Sequence, residues 1–417
     1  MISRRRLVYW LYPGIGLKRW AAVLAAGVLV FGAALFVGIG AVVSRRFLAS
    51  VGLGGLRDRF FVTGFIVGLG LMVGLVLSYL GLRGVVRFAR AAPNVSLIRS
   101  RQRLANGPRV VAIGGGTGLA ALLGGLKMYT SNLTAVVTVA DDGGSSGLLR
   151  RDMHVLPPGD IRNCLVALAD DESLLGRLFQ YRFQDGGLQG HSFGNLFLAA
   201  LTEVTGDFEL AIAESTSVLK VRGKVLPATL EDVQLHAQLE GGEQVAGEST
   251  ITAHARRPLR VWLSPESPAP LPQSLEAIAR ADLVVLGPGS LFTSVIPNLL
   301  IPGVREALRS THARVVYVCN VMTQPGETDA FSAADHVEAL HRHGAAGLID
   351  AVLVNDTPVS DELARAYARQ GAAPVSADDE RLRGLGVHVV HAALAAGSNV
   401  FRHDPARLSR TLLRLVR

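Results

Sequence analysis

The sequence predicts an α/β protein: a doubly wound, mostly parallel, Rossmann-like sheet with a helical insertion and a small β flap, preceded by an N-terminal two-helix transmembrane hairpin. Three observations predict it. Two long charge-free apolar runs, each bracketed by arginines, lie within the first 83 residues. A short apolar run at 110–113 meets a glycine turn and then helical spacing, which is how a doubly wound unit opens. Beyond that turn, buried-strand runs alternate with helical patterns, the signature of a parallel sheet covered on both faces.

The first run is 25 residues, Trp20 to Ser44, and the second 23, Phe60 to Leu82. About 20 apolar residues cross a bilayer core of roughly 30 Å. A cleaved signal peptide fits the first run less well, because it is long and a second span follows. Flanking charge sets the orientation: Arg4, Arg5, Arg6, Lys18 and Arg19 precede the hairpin, and Arg83, Arg87, Arg90, Arg99, Arg101 and Arg103 follow it. The loop between carries Arg45, Arg46, Arg57 and Arg59, so both ends are expected in the cytoplasm and the loop outside. Gly27, Gly32, Gly68 and Gly70 are expected to let the helices pack closely. The expected organisation is a hairpin over 1–83, a basic linker over 84–108 suited to anionic headgroups, and one cytoplasmic domain over 109–417.

The net charge of +8 conceals a split: residues 1–109 hold sixteen basic groups against the single acid Asp58, which leaves the remainder at −7. The large domain would repel a phosphate polymer overall, so nucleic acid is not an expected partner. Two cysteines, Cys164 and Cys319, exclude a disulfide scaffold and a multi-cysteine zinc site. With 49% hydrophobic and 18% charged residues, the chain is not disordered.

After the strand at 110–113 and the helix at 119–128, a β-branched run at 134–140 reads as the second strand. Residues 160–220 read as consecutive helices, including Ile161–Ala169, Ser192–Glu203 and Phe208–Leu219. Residues 224–264 read as short strands of an antiparallel flap, and Pro265–Pro272 as a connection. Strands at 282–286, 314–319 and 351–354 then alternate with helices near 273–281, 303–311, 333–343 and 360–370, and a last helix covers 404–416.

A doubly wound sheet binds ligands beyond the carboxyl ends of its strands. Gly114, Gly115, Gly116, Thr117 and Gly118 follow the first strand, where backbone N–H groups and a helix N-terminus suit an anion. The dinucleotide pattern G-x-G-x-x-G fails, with Leu119 where the third glycine belongs. Asp141, Asp142, Gly143, Gly144, Ser145 and Ser146 follow the second strand. The two carboxylates suit a divalent cation, a ribose or a sugar hydroxyl, or else form a solvated turn in which Ser145 or Ser146 caps a helix. Gly159, Asp160, Arg162 and Asn163 open the next helix; Asp160 fits an N-cap, whereas a cation in the first turn opposes the dipole and reads as ligand-facing. His191, Ser192 and Asn195 open another helix, His191 as an acid/base or phosphate donor or as a partner of a backbone carbonyl. Gly287, Pro288, Gly289, Ser290, Thr293 and Ser294 form a second glycine loop with hydroxyls, and Asn320 lies beyond the strand ending at Cys319. His336, His341 and His343 read as surface histidines, and the cysteines as buried small residues.

Seven ordered motifs, IGGGTGLAALLGGLK, VTVADDGGSSGLLR, PPGDIRNCLVALA, GHSFGNLFLAAL, VRGKVLPAT, GPGSLFTSVIPNLL and CNVMTQPGETD, resemble the bacterial gluconeogenesis-factor family (YvcK-type, also called GlmR), relatives of the CofD-type 2-phospho-L-lactate transferases. The resemblance covers about 110–400 and leaves the hairpin outside. It implies a Rossmann-like fold that binds UDP-N-acetylglucosamine through the five loops above, and a link to cell-wall precursor supply, cell shape and growth on gluconeogenic carbon sources. A regulated cytoplasmic enzyme of amino-sugar or precursor synthesis is the implied protein partner, and a homo-oligomer is left open. The CofD-type relatives imply the alternative, a transferase in which Asp141 and Asp142 hold Mg²⁺ and act in catalysis; no cofactor is otherwise expected. Phe292 stands where relatives carry Tyr, which would alter specificity if that side chain met the ligand. A nicotinamide-dependent dehydrogenase is disfavoured by the missing third glycine.

Overall fold

The computed structural model describes residues 17–50, 57–91, 102–169, 174–254, 256–397 and 400–416. It divides into two compact units, Met1–Arg99 and Ser100–Arg417. Several of the orientation-setting arginines, Arg4 to Arg6 and Arg99 and Arg101 among them, lie outside the described residues.

The first unit is a pair of helices, α1 (Leu17–Ser50) and α2 (Arg57–Ala91). Within them, Arg19–Ser44 and Thr63–Arg87 are long and apolar enough to cross a membrane. The two pack along a seam of small residues. Trp20, Leu24, Gly27, Phe31, Ala34 and Gly38 of α1 meet Gly84, Gly81, Ser78, Gly74, Gly70 and Val67 of α2. The steps are three or four residues on each helix, the period of two helices held on a common seam. A Cβ on Gly74 would lie 2.6 Å from the Phe31 nitrogen, so the backbones touch where side chains would separate them. Of the four glycines expected here, Gly27 and Gly70 lie on the seam; Gly32 and Gly68 are out of its register and face open space. The helix α2 continues through 84–91, since arginine is a good helix former.

The second unit is built on β1 (Val110–Gly114), α3 (Gly116–Leu126) and β2 (Leu133–Val137). The helical insertion follows as α4 (Gly144–Met153), α5 (Gly159–Leu168), α6 (Leu174–Gln180), α7 (Phe193–Thr205) and α8 (Phe208–Leu219). Next come β3 (Lys224–Pro227), β4 (Gln234–Leu239), β5 (Gln244–Ala246), α9 (Glu248–Ala253) and β6 (Pro258–Ser264). The second half alternates: α10 (Pro272–Ala279), β7 (Leu283–Leu286), α11 (Ile296–Leu299), α12 (Pro302–Ser310), β8 (Arg314–Val318), α13 (Ala333–Leu340), β9 (Ala351–Asn355), α14 (Asp361–Ala368), α15 (Asp379–Gly384), β10 (His388–Ala392) and α16 (Pro405–Leu413).

Seven strands pair in the order β10-β9-β8-β7-β1-β2-β3, all parallel. The strands alternate in side-chain direction. Val111, Ile113, Val284, Leu286, Val315 and Tyr317 belong to the core under α10 to α13 and the flap, and Val110, Ala112, Leu283, Val285, Val316 and Val318 to the core under α3, α5, α8 and α16. A sheet buried on both faces needs apolar residues at every position, and that is why its strands read as continuous apolar runs. Two expectations are corrected. The strand β3 is not part of the flap; it closes the edge of the parallel sheet beside β2, and β5-β4-β6 alone make the antiparallel flap. The edge strand β10 was not expected from the sequence at all: its half-exposed HVVHA lacks the apolar run of a central strand.

Candidate functional site

Strand order reverses at β1. Its chain continues to β2 on one side, while β7 lies on the other. At such a switch point the turns after two neighbouring strands diverge and leave a crevice. The turns here are the two glycine loops. Gly116 adopts φ +69 and starts α3 without a side-chain cap. A Cβ on Gly118 would sit 2.6 Å from the Pro288 carbonyl oxygen, so the loops meet backbone to backbone only because position 118 is glycine. Gly287, at φ +78, precedes a cis Pro288. The Asn320 side-chain amide donates to the Gly289 carbonyl (3.0 Å), and that of Asn298 to Gly114 (3.3 Å) and Ser294 (2.9 Å), fixing both loops to the scaffold.

The crevice is a cavity of about 650 Å³. Gly115, Gly116, Thr117, Gly118, Pro288, Gly289, Ser290, Thr293, Ser294 and Asn320 line it. The first-turn N–H groups of a helix have no intrahelical acceptor. The Asp160 carboxylate takes that of Gly116, and those of Thr117 and Gly118 stand at the cavity wall. Thr138, Asp141, Asp160 and Glu248 form an acidic side. Burial, then the neighbouring Asp141 charge, raises the Asp160 carboxyl to about 6; burial and the charges of Asp141, Asp142 and Asp160 raise Glu248 to about 7. Burial also raises Asp141, against hydrogen bonds from the Gly143 N–H and Ser146 hydroxyl. Carboxylates that resist ionising together attract a cation or hydroxyl donors. The far end is apolar and aromatic, with Met322, Tyr367 and Phe401, beside the exposed Arg402.

The remaining expected residues lie off this cavity. Asp142 turns away from it: one carboxylate oxygen accepts the Ser249 N–H (2.8 Å) and caps α9. The capping that suits an acidic turn is therefore realised by an aspartate on another element's helix. Ser145 bonds His191 Nδ1 (3.2 Å) and accepts from the Asn195 amide (3.1 Å), a separate polar cluster. Ser146 accepts the Gly159 N–H (3.1 Å), and Ser192 caps α7 through the Asn195 N–H (3.2 Å). Arg162 is buried, donates to Asn163 (2.8 Å), and feels the charges of Asp160 and Asp141. Gly143 and Gly144 form the turn into α4. Among the described residues no three His, Cys, Asp or Glu side chains are arranged to hold a metal ion.

Three expectations change. The Phe292 ring is fully buried, 6.3 Å from Phe331 and 5.9 Å from His343, so it cannot set specificity by contact. His336 and His343 are core residues, each bonded through Nδ1 to a carbonyl one helical turn back; they are not surface histidines. Glu248, Glu327, Gln324, Tyr367, Arg402 and His403 were missed. Glu327 accepts the Phe292 N–H (2.7 Å) and so holds the turn carrying Ser290, Thr293 and Ser294. It lies inside the CNVMTQPGETD motif, which was its only signal; Glu248 and Arg402 sit in stretches with none.

A family model, 2-phospho-L-lactate transferase CofD, matches residues 110–395. A gluconeogenesis factor of Halalkalibacterium halodurans is 50% identical over 73% of this chain and 95% of its own; that of Bacillus subtilis is 50% identical over 74% and 98%. A Nostoc sp. relative is 45% identical over 97% of this chain and 91% of its own. The crystal structure of protein BH3568 from Bacillus halodurans superposes with a TM-score of 0.72 at 50% identity, covering 74% of this chain and 100% of that one. With this similarity over the whole crevice-bearing unit, the chain belongs to the gluconeogenesis-factor family, with a CofD-like domain at 110–395.

Proposed function

We propose that the protein is a membrane-tethered receptor for UDP-N-acetylglucosamine that regulates cell-wall precursor supply, and with it cell shape and growth on gluconeogenic carbon sources. One observation carries the reading: two glycine loops meet at the strand-order switch, in one cavity that also holds carboxylates and an aromatic end. Each part of a nucleotide sugar has a matching chemistry there. The pyrophosphate suits the Thr117 and Gly118 N–H groups and the positive end of α3. Sugar hydroxyls suit Asp141, Asp160 and Glu248 as acceptors, and a flat base suits Tyr367 and Phe401, with Arg402 completing the charge. The cavity's 650 Å³ falls within the range of about 300–1,000 Å³ typical of small-molecule sites. The hairpin would anchor the domain on the cytoplasmic side of the cell membrane, within reach of a cytoplasmic enzyme of amino-sugar or precursor synthesis.

The matching family model supports a second reading, a transferase. Asp141 and Asp160 would then hold a Mg²⁺ ion that neutralises phosphate charge; the Asp142 oxygen bonded to Ser249 is committed elsewhere. Titrating the full chain in detergent with UDP-N-acetylglucosamine by calorimetry tests the first reading: saturable one-site binding supports it, and no binding refutes it. Incubation of nucleotide and sugar-phosphate mixtures with Mg²⁺ tests the second, since turnover abolished by Asp141→Asn would favour the transferase.

A further inference from the structure

A cavity of about 560 Å³ lies between β6, α12 and the turn after α13. It shares no residue with the crevice. Its charged lining is Arg260, Arg305, Arg309 and Arg342 against the single carboxylate Glu266. The chain beyond residue 109 is net negative, so this is a local inversion of sign. Like charges gathered in one place repel unless a counter-anion is at hand. Arg309 is paired with Glu306 on its own helix (3.1 Å), and Arg305 donates to the Leu299 carbonyl (2.7 Å). Among the described residues, Arg260 and Arg342 have no carboxylate partner.

The walls are rigid. His343 donates through Nδ1 to the Ala339 carbonyl (2.7 Å) and accepts the Val261 N–H at Nε2 (3.0 Å), so a neutral imidazole ties β6 to the end of α13. Trp262 is stacked on His236 across the flap at 5.6 Å and 16°. Leu259 is 40% exposed, and Arg260, Arg309, Arg342 and Pro302 are exposed as well. A trough this open would bury a small solute on one side only, whereas small-molecule sites enclose most of the ligand. An extended chain can lie along it. Arginine and tryptophan beside aliphatic surface are the residues in which interface centres are enriched, and guanidinium groups pair carboxylates through two parallel bonds.

We propose that this trough docks an acidic, extended segment of a partner protein, with carboxylates on Arg260 and Arg342 and an apolar side chain against Leu259 and Trp262. The proposal is independent of the nucleotide-sugar reading, because no residue is common to both. The test is fluorescence anisotropy of a labelled peptide alternating Glu with Leu, titrated with the full chain in detergent. Three proteins are compared: the native chain, the Arg260→Glu/Arg342→Glu double variant, and an Arg383→Glu/Arg410→Glu control with the same change of charge elsewhere. Both pairs are exposed, and unchanged melting temperatures check the fold. Saturable binding that weakens with salt, falls at least tenfold in the trough variant and survives in the control is the expected result. Equal binding by all three proteins, or none by the native chain, overturns the proposal. So does binding of inorganic tripolyphosphate in place of the peptide, or a native dimer that the trough variant alone dissociates, which would assign the surface to a second copy.

Discussion

Glu327→Gln is the perturbation whose size the structure fixes best. The Glu327 carboxylate is buried under the turn that carries the cavity hydroxyls, accepts the Phe292 N–H at 2.7 Å, and leaves one oxygen without a partner. Burial raises its carboxyl from 4.5 to about 7. A raised acid favours the protonated form in the folded state. Its contribution to stability is therefore complete below the unfolded value and lost as pH rises through about 7. At about 1.4 kcal/mol per pH unit over roughly 2.5 units, the loss is ~3 kcal/mol. Glutamine keeps a carbonyl acceptor and does not titrate, so the variant should gain ~3 kcal/mol on the native protein between about pH 4.5 and 8. The assay is urea unfolding of the Ser100–Arg417 unit, followed by Trp262 fluorescence across that range. The crystallised Bacillus halodurans protein is matched over 100% of its length by 74% of this chain. Parallel pH profiles for the two proteins would mean that Glu327 does not titrate between the folded and unfolded states as its burial requires.

Other outcomes follow from the same geometry. Gly118→Ala brings a methyl group within 2.6 Å of the Pro288 oxygen; it should cost about 1–3 kcal/mol in urea unfolding and weaken UDP-N-acetylglucosamine at least tenfold in calorimetry. Asp142→Ala removes the cap of α9 and should cost about 1 kcal/mol while leaving nucleotide-sugar affinity unchanged; a matching loss of affinity would return Asp142 to the site. Arg402→Ala at the exposed cavity end should reduce affinity and flatten its salt dependence without moving the melting temperature. In the hairpin, Gly74→Leu should separate the helices, measured as lost cysteine cross-linking between α1 and α2, whereas Gly68→Leu should leave it intact.

The sheet was legible because a strand buried on both faces has to be apolar throughout, and Val110–Ile113 and Leu283–Leu286 are. The half-exposed β10 escaped for the same reason in reverse. The glycine loops declared themselves because Gly116 and Gly118 occupy backbone geometry that other residues refuse. What the sequence could not convey was direction. Asp141 and Asp142 are adjacent, yet one faces the cavity and the other caps a helix more than a hundred residues on. Glu248, Tyr367 and Arg402 reach the crevice from the flap and the last elements of the chain, and only the fold brings them together. Histidines at 336 and 343 read as surface residues because helical spacing does not reveal which face is covered.

The proposed nucleotide-sugar site places a pyrophosphate where the turns after β1 and β7 meet. A crystal structure of the protein with UDP-N-acetylglucosamine measures this directly. Phosphate oxygens within hydrogen-bond reach of the Thr117 and Gly118 N–H groups, with the sugar toward Asp141 and Glu248, is the predicted result. Nucleotide density confined to the polar cluster of Ser145, His191 and Asn195, with the glycine loops untouched, would contradict it.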